Sequence, residues 1–400
     1  MSFSRENYKT IGLIGANQLA EKILRTSLGY SNDIIVFDPS PTATSRLLQK
    51  VKADLSQSPS PFPMASYLRI IPTTSIDTLR PCDLIIESFR ENDKLKQEIA
   101  INTLSKLDPS QVYAINSAIS PISQLLGPDL PPNAFGFHLF DLTGGSGLAE
   151  IVLTSESNRS LLPPLLNLCE DLNAPPFLVR DKPAFFTTRL LSFYFAEALT
   201  ILEEGISIFE LDRLIEQEGF NKGPLKMMDD IGLDIVRNLL MQSQRIFNPR
   251  IPQTPIIDRM CDAGYLGRKN QKGFYLYPDA KPPTPNLNIQ NLMDPRPLHH
   301  QPTDLFNRCL LLLINETIRC MDEEVIESPA DGNLAAISGL GFPKSMGGPF
   351  AYVDQKGPQT ILDSMEVFET RFGNRFTPAK TLTKNAQRGR LFFEYGQLYQ

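Results

Sequence analysis

The stretch TIGLIGANQLAEKILRTSL, Thr10 to Leu28, decides how the chain begins to fold. An apolar run, TIGLIG, ends on Gly15, and the pattern then becomes helical through NQLAEKILRTSL. Further apolar runs follow at 33–38 (DIIVFD), 68–72 (LRIIP), 83–88 (DLIIES) and 112–116 (VYAIN), then at 134–140 (AFGFHLF), 150–154 (EIVLT) and 176–180 (PFLVR). Helical patterns such as NDKLKQEIAINTLSKL separate several of them. Strands that are apolar throughout, joined by helical crossovers, predict a parallel sheet covered on both faces. The expected first domain is therefore α/β, a Rossmann-like doubly wound sheet over residues 1–182.

A dinucleotide-binding fold places G-x-G-x-x-G where the first strand enters its helix. Gly15 fills the first glycine position, Asn17 the second and Ala20 the third. Alanine is accepted at the third, which serves helix–strand packing, but the second lets backbone approach a pyrophosphate. Asn17 puts a side chain into that space. Asp38 ends the second strand 23 residues past Gly15, where a carboxylate accepts from a ribose 2′-hydroxyl and repels a 2′-phosphate. The plainer role for Asp38 is that of a turn residue ahead of Pro39.

From KPAFFTTRLLSFYFAEALTILEEG onward the period is helical and strands nearly vanish. The chain then repeats itself. Arg189, Glu197, Glu203, Gly219, Phe220, Gly223, Pro224, Asp229 and Gly232 are followed by Arg308, Glu316, Asp322, Gly341, Phe342, Gly348, Pro349, Asp354 and Gly357. Arg to Glu is eight residues in both series, Pro to Asp five, and Asp to Gly three. Two repeated all-α modules are expected, at 183–278 and 304–400, with a Pro-rich linker over 279–303. Their acidic residues are read as helix-face and helix-packing groups.

The net charge of −6 and the lack of a basic block argue against nucleic acid and an anionic membrane surface. The polar start, MSFSRENYKT, does not read as a signal peptide. The apolar run CLLLLI at Cys309–Ile314 is far too short to span a bilayer. Five cysteines without paired spacing read as reduced thiols, and three histidines give no zinc pattern. A soluble cytoplasmic protein without a metal is expected.

His138 is the first histidine of the chain, and Glu150 follows it by twelve residues. A histidine base needs a carboxylate to fix its tautomer and stabilise the imidazolium. Glu150 serves if the chain reverses at TGGSG. A satisfied core histidine beside an unrelated acid is the competing reading.

Together these pieces resemble the L-3-hydroxyacyl-CoA dehydrogenase family, in particular the dehydrogenase portion of the multifunctional fatty-acid-oxidation α-subunit, without its crotonase domain. DLIIESFRENDKLKQEI (83–99) is similar to the family's D-L-V-x-E-x-x-x-E-N-x-x-x-K, and INSAISPISQL (115–125) to its S-N-T-S-x-x-P-I-S segment. GFHLFDL with AEIV is similar to G-x-H-F-F-N-P with V-E-I-I, and DKPAFFTTRLL (181–191) to D-x-P-G-F-x-x-N-R-L-L. GYLGRKNQKGFYLY (264–277) and GLGFPKSMGGPFAYVD (339–354) match the two modules.

The resemblance implies NAD-dependent oxidation of (S)-3-hydroxyacyl-CoA to 3-oxoacyl-CoA, with His138 as base and Glu150 orienting it. It places Gly15, Asn17, Asp38, Glu91, Lys96, Asn116 and Asp141 at NAD, and Ala118, Thr188 and Ser338 at the acyl-CoA substrate. The departures from the family pattern cluster here. Ala118 replaces a serine, Asp141 and Thr188 replace asparagines, and Ser338 stands where the α-subunit form has a tyrosine. Asp141 exchanges an amide donor for a negative charge three residues from His138, which favours protonated imidazole over the neutral base. The alternative to a working dehydrogenase is a weak or inactive member that binds acyl-CoA or forms a complex. The resemblance also leaves room for a thiolase-like partner subunit. The second module is expected to cover the face by which single-module relatives dimerise, so no homodimer through the helical modules is expected.

Overall fold

The computed structural model describes residues 8–28, 33–57, 69–89, 93–140, 147–293 and 302–393. The chain divides into two compact units. The first is 1–140 with 145–182, and the second is 141–144 with 183–400.

Among the described residues the first unit holds eight strands: β1 (Thr10–Ile14), β2 (Asp33–Phe37), β3 (Ile70–Thr73), β4 (Leu84–Glu87), β5 (Val112–Asn116), β6 (Ala134–Phe140), β7 (Leu148–Leu153) and β8 (Pro176–Arg180). Five helices interleave with them: α1 (Gln18–Ser27), α2 (Pro41–Gln57), α3 (Asp93–Leu104), α4 (Ile122–Leu126) and α5 (Pro163–Asp171). One sheet runs in the order β3-β2-β1-β4-β5-β6-β7-β8. Leu13, Ile86, Ala114 and Phe135 on one face and Ile85, Tyr113 and Ala134 on the other are completely buried, so both faces of the sheet are covered at these central strands. The chain leaves β1 for β2 on one side and returns to β4 on the other, and ligands bind at the carboxyl ends of strands where such a reversal occurs.

The sheet departs from the expectation of an all-parallel one at its far end. β1 to β6 are parallel, but β7 is antiparallel to β6, and β8 runs parallel to β7. Seven residues, 141–147, separate β6 from β7. A connection that short joins antiparallel neighbours, because a parallel crossover needs a dozen or more residues.

The second unit is helical. Its first half contains α6 (Thr187–Glu203), α7 (Ile208–Gln217), α8 (Pro224–Ile231), α9 (Leu233–Phe247) and α10 (Pro255–Asp262). A two-residue ribbon follows, β9 (Tyr275–Leu276) against β10 (Thr284–Pro285). The second half contains α11 (Pro302–Asp322), α12 (Pro329–Leu340), α13 (Pro349–Lys356), α14 (Pro358–Phe372) and α15 (Lys380–Arg388). The Pro-rich segment is not featureless, since it carries β10 and a 3-10 helix at Leu287–Leu292 with Ile289 completely buried.

Matched residues of the repeat do matched work. Asp212 accepts from Leu225 N–H after Gly223-Pro224, as Asn333 accepts from Phe350 N–H after Gly348-Pro349. Asp229 accepts from the backbone of Phe274 and Tyr275, as Asp354 accepts from that of Phe392 and Phe393. Helices α6 and α11 pack along each other and exchange ion pairs. Arg189 donates to Glu316 at 3.0 Å, and Arg308 to Glu197 at 2.6 Å. Arg250 adds a second contact to Glu316 and Arg375 a second to Glu197. Burial opposes ionisation of Glu197, yet Arg308 and Arg375 hold its carboxyl below the usual range. The packing role expected of these acids takes the form of buried charge pairs between the repeats.

Candidate active site

His138 and Glu150 are register partners across the antiparallel β6–β7 pair. Directly opposed residues in such a pair project to the same face of the sheet, and His138 Nδ1 lies 2.6 Å from Glu150 Oε2. The Glu150 side chain is completely buried, whereas His138 keeps 12% of its side-chain surface. A fully buried carboxylate therefore backs a partly exposed imidazole. Gly136, two residues before His138, brings the strands together, because a Cβ there would stand 2.6 Å from Val152 Cβ.

The other predicted positions of this unit that the structure describes gather at the same carboxyl edge of the sheet. Asn116 ends β5 and is in register with Phe137, beside His138. Lys96, on α3, is completely buried and donates to Glu87 Oε2 at 2.8 Å and to the Asn116 carbonyl at 2.5 Å. Its ammonium is thus engaged within the protein and fixes the ends of β4 and β5. Ala118 lies in the turn that follows β5. Ser117 Oγ donates to the Ser120 carbonyl, Ser120 Oγ donates to Asp93, and Asp181 accepts from Ile122 and Ser123 N–H, which together pin that turn.

Gly15 closes β1 at φ +97°, a left-handed conformation that favours glycine, and a Cβ there would meet Ser88 Oγ at 3.1 Å. Asn17 caps α1, its Oδ1 accepting from Leu19 and Ala20 N–H, while its Nδ2 donates to the Ser88 carbonyl. Asp38 is 7% exposed and accepts from Ala16 N–H at 2.9 Å and Ser40 N–H at 2.8 Å. Thr188 and Ser338 belong to the helical unit, Thr188 buried near the start of α6 and Ser338 partly buried on α12. Glu91 and Asp141 lie outside the described residues. Among those residues no cluster of three metal-ligating side chains occurs, and no helix is long and apolar enough to cross a membrane.

Sequence reading missed Ser88 and Glu87. Ser88 Oγ donates to the carbonyls of Ile14 and Gly15, both at 2.9 Å, and so holds the β1–α1 turn. Both residues sit in a run that reads simply as strand, and their partners come from other strands and helices.

Residues 10–182 match the sequence profile described as the 3-hydroxyacyl-CoA dehydrogenase NAD binding domain. Residues 185–277 and 305–397 each match that of the 3-hydroxyacyl-CoA dehydrogenase C-terminal domain. The chain belongs to the 3-hydroxyacyl-CoA dehydrogenase family. Among curated relatives, it is 28% identical over 324 residues to a fatty acid oxidation complex subunit alpha of Shewanella halifaxensis, covering 80% of this chain and 46% of that protein. A namesake from Vibrio cholerae is 30% identical over 314 residues, covering 78% and 44%. The chain thus spans about half the length of these relatives.

Solved structures of the family share the fold. A 3-hydroxybutyryl-CoA dehydrogenase of Escherichia coli gives a TM-score of 0.81 at 19% identity, over 96% of this chain and 99% of that one. The (S)-3-hydroxybutyryl-CoA dehydrogenase of Ralstonia eutropha gives 0.61 at 25% identity, over 68% and 100%. The first unit fits the NAD that its family domain binds. Gly15 leaves the β1 turn free of a Cβ, the sheet order reverses at β1, and the Asp38 carboxylate ends β2 beside that turn.

Proposed function

We propose that the chain catalyses the NAD-dependent oxidation of an (S)-3-hydroxyacyl-CoA to the 3-oxoacyl-CoA, the reaction type of fatty-acid β-oxidation. The observation that carries this reading is the 2.6 Å contact between His138 Nδ1 and Glu150 Oε2. The buried Glu150 carboxylate keeps the proton on Nδ1, so Nε2 carries the lone pair. Nε2 takes the proton of the substrate 3-hydroxyl as C3 becomes a carbonyl, and Glu150 stabilises the imidazolium that results. Bound NAD supplies the hydride acceptor for C3. Asp38 sets the preference for NAD over NADP by its charge. Lys96 acts through the Asn116 carbonyl it holds; by the family match, Glu91 and Asp141 are assigned to the cofactor, and Ala118, Thr188 and Ser338 to the acyl-CoA.

Five free cysteines, four of them buried, support a reducing, cytoplasmic setting. Helix α6 is buried along nearly its whole length, which supports the absence of a homodimer through that helix. A thiolase-like subunit is the partner this family context suggests.

The test is consumption of NADH with acetoacetyl-CoA by the wild-type protein. Turnover supports the reading. If wild type shows none, and the Ala118→Ser, Asp141→Asn double variant gains none, the chain is a non-catalytic acyl-CoA-binding or complex-forming member.

A further inference from the structure

Position 17 is where a dinucleotide fold uses glycine, and the structure shows what the asparagine does there. Its backbone is extended, at φ −123° and ψ −170°, a conformation open to any residue, so no glycine is required. The side chain does not project into open space above the turn. Oδ1 accepts from Leu19 N–H at 3.0 Å and from Ala20 N–H at 3.1 Å, and Nδ2 donates to the carbonyl of Ser88 at the end of β4. The first-turn N–H groups of a helix have no intrahelical partner. In a dinucleotide fold the pyrophosphate sits on that helix terminus. In this chain two of those donors are already taken by an amide oxygen of the protein.

We propose that Asn17 is an internal competitor for the cofactor's pyrophosphate. The side chain has to rotate off Leu19 and Ala20 before those N–H groups can donate to a phosphate oxygen. The inference rests on the dehydrogenase reading and deepens it, since it assigns a residue that sets how tightly the diphosphate is held. It also replaces simple steric crowding as the effect of an asparagine at this position. Apparent affinity is the intrinsic affinity reduced by the fraction of molecules with the cap open. An asparagine cap of ordinary strength corresponds to about a five-fold change in an equilibrium.

The experiment titrates NADH, ADP and adenosine into wild type, Asn17→Gly, Asn17→Ala and Asn17→Asp, with the Tm of each ligand-free protein measured alongside. Competition predicts about five-fold lower Kd for NADH and ADP in the Gly and Ala variants, and unchanged adenosine binding. The Ala variant loses Tm because its cap is gone. Asn17→Asp keeps the cap and the fold, and raises the Kd for NADH and ADP by placing a carboxylate against the phosphates. A lowered Tm with Kd for NADH and ADP unchanged or raised in both Gly and Ala variants overturns the proposal and leaves Asn17 a structural cap. If wild type binds NADH and these variants bind it no more tightly, this inference alone fails. If neither wild type nor variants bind NADH or ADP, the dehydrogenase reading fails with it.

Discussion

Arg189 reaches from the first helical repeat to Glu316 of the second, and both side chains are all but completely buried, at 1% and 0% exposure. The same arginine makes a forked contact with Glu323, which is 47% exposed. Loss of Arg189 takes one guanidinium from the buried Glu316 carboxylate and leaves it to Arg250 and Arg319, whereas the exposed Glu323 is screened by water.

Arg189→Met is therefore expected to lower stability by about 1.5–3 kcal/mol, and Glu323→Gln by no more than about 1 kcal/mol. Urea unfolding of the two variants checks this. Equal, small effects would show that the inter-repeat pair contributes little.

The central strands are legible in the sequence because they are buried on both faces, as Leu13 and Ile86 show on one and Ile85 and Tyr113 on the other. The repeat was legible because Arg189 and Arg308, or Asp229 and Asp354, do the same work at the same spacing. What escaped notice depends on partners far apart in sequence. Asn17 looked like an obstruction because its partner Ser88 is 71 residues away. Lys96 matched a cofactor motif, and only the fold shows its ammonium held by Glu87 and Asn116. The reversed direction of β7 and β8 was implied by the turn suggested for Glu150 but not carried to the rest of the sheet.

Burial raises two carboxyl groups of the first repeat, Asp212 to about 6 and Asp229 to about 7. A carboxyl whose folded value lies above its unfolded value of about 3.9 makes the folded state bind the extra proton. Its contribution is complete below about pH 4 and is lost as pH rises through 6 to 7. The stability advantage of wild type over Asp229→Asn should then be greater at pH 5 than at pH 7, by about 1 kcal/mol or more. Chemical unfolding at both pH values is the measurement, and a pH-independent difference would count against the raised carboxyl.

Asp38 gives a prediction on cofactor choice. Its carboxylate ends β2, and a 2′-phosphate brought to that position meets a negative charge. NADH should bind at least ten-fold more tightly than NADPH, the scale of about 1.4 kcal/mol of repulsion. Fluorescence titration of both nucleotides decides it, and tighter binding of NADPH would refute the role given to Asp38.

The central claim is that His138, oriented by Glu150, is the base of a hydroxyacyl-CoA oxidation. The direct measurement is steady-state reduction of acetoacetyl-CoA by NADH in wild type and His138→Ala, with the NADH Kd determined for both. The account predicts that His138→Ala loses about 10²-fold or more of the rate while its NADH Kd stays within about two-fold of wild type. An unchanged rate in His138→Ala, with wild type active, would contradict it and reduce the 2.6 Å contact to a structural hydrogen bond.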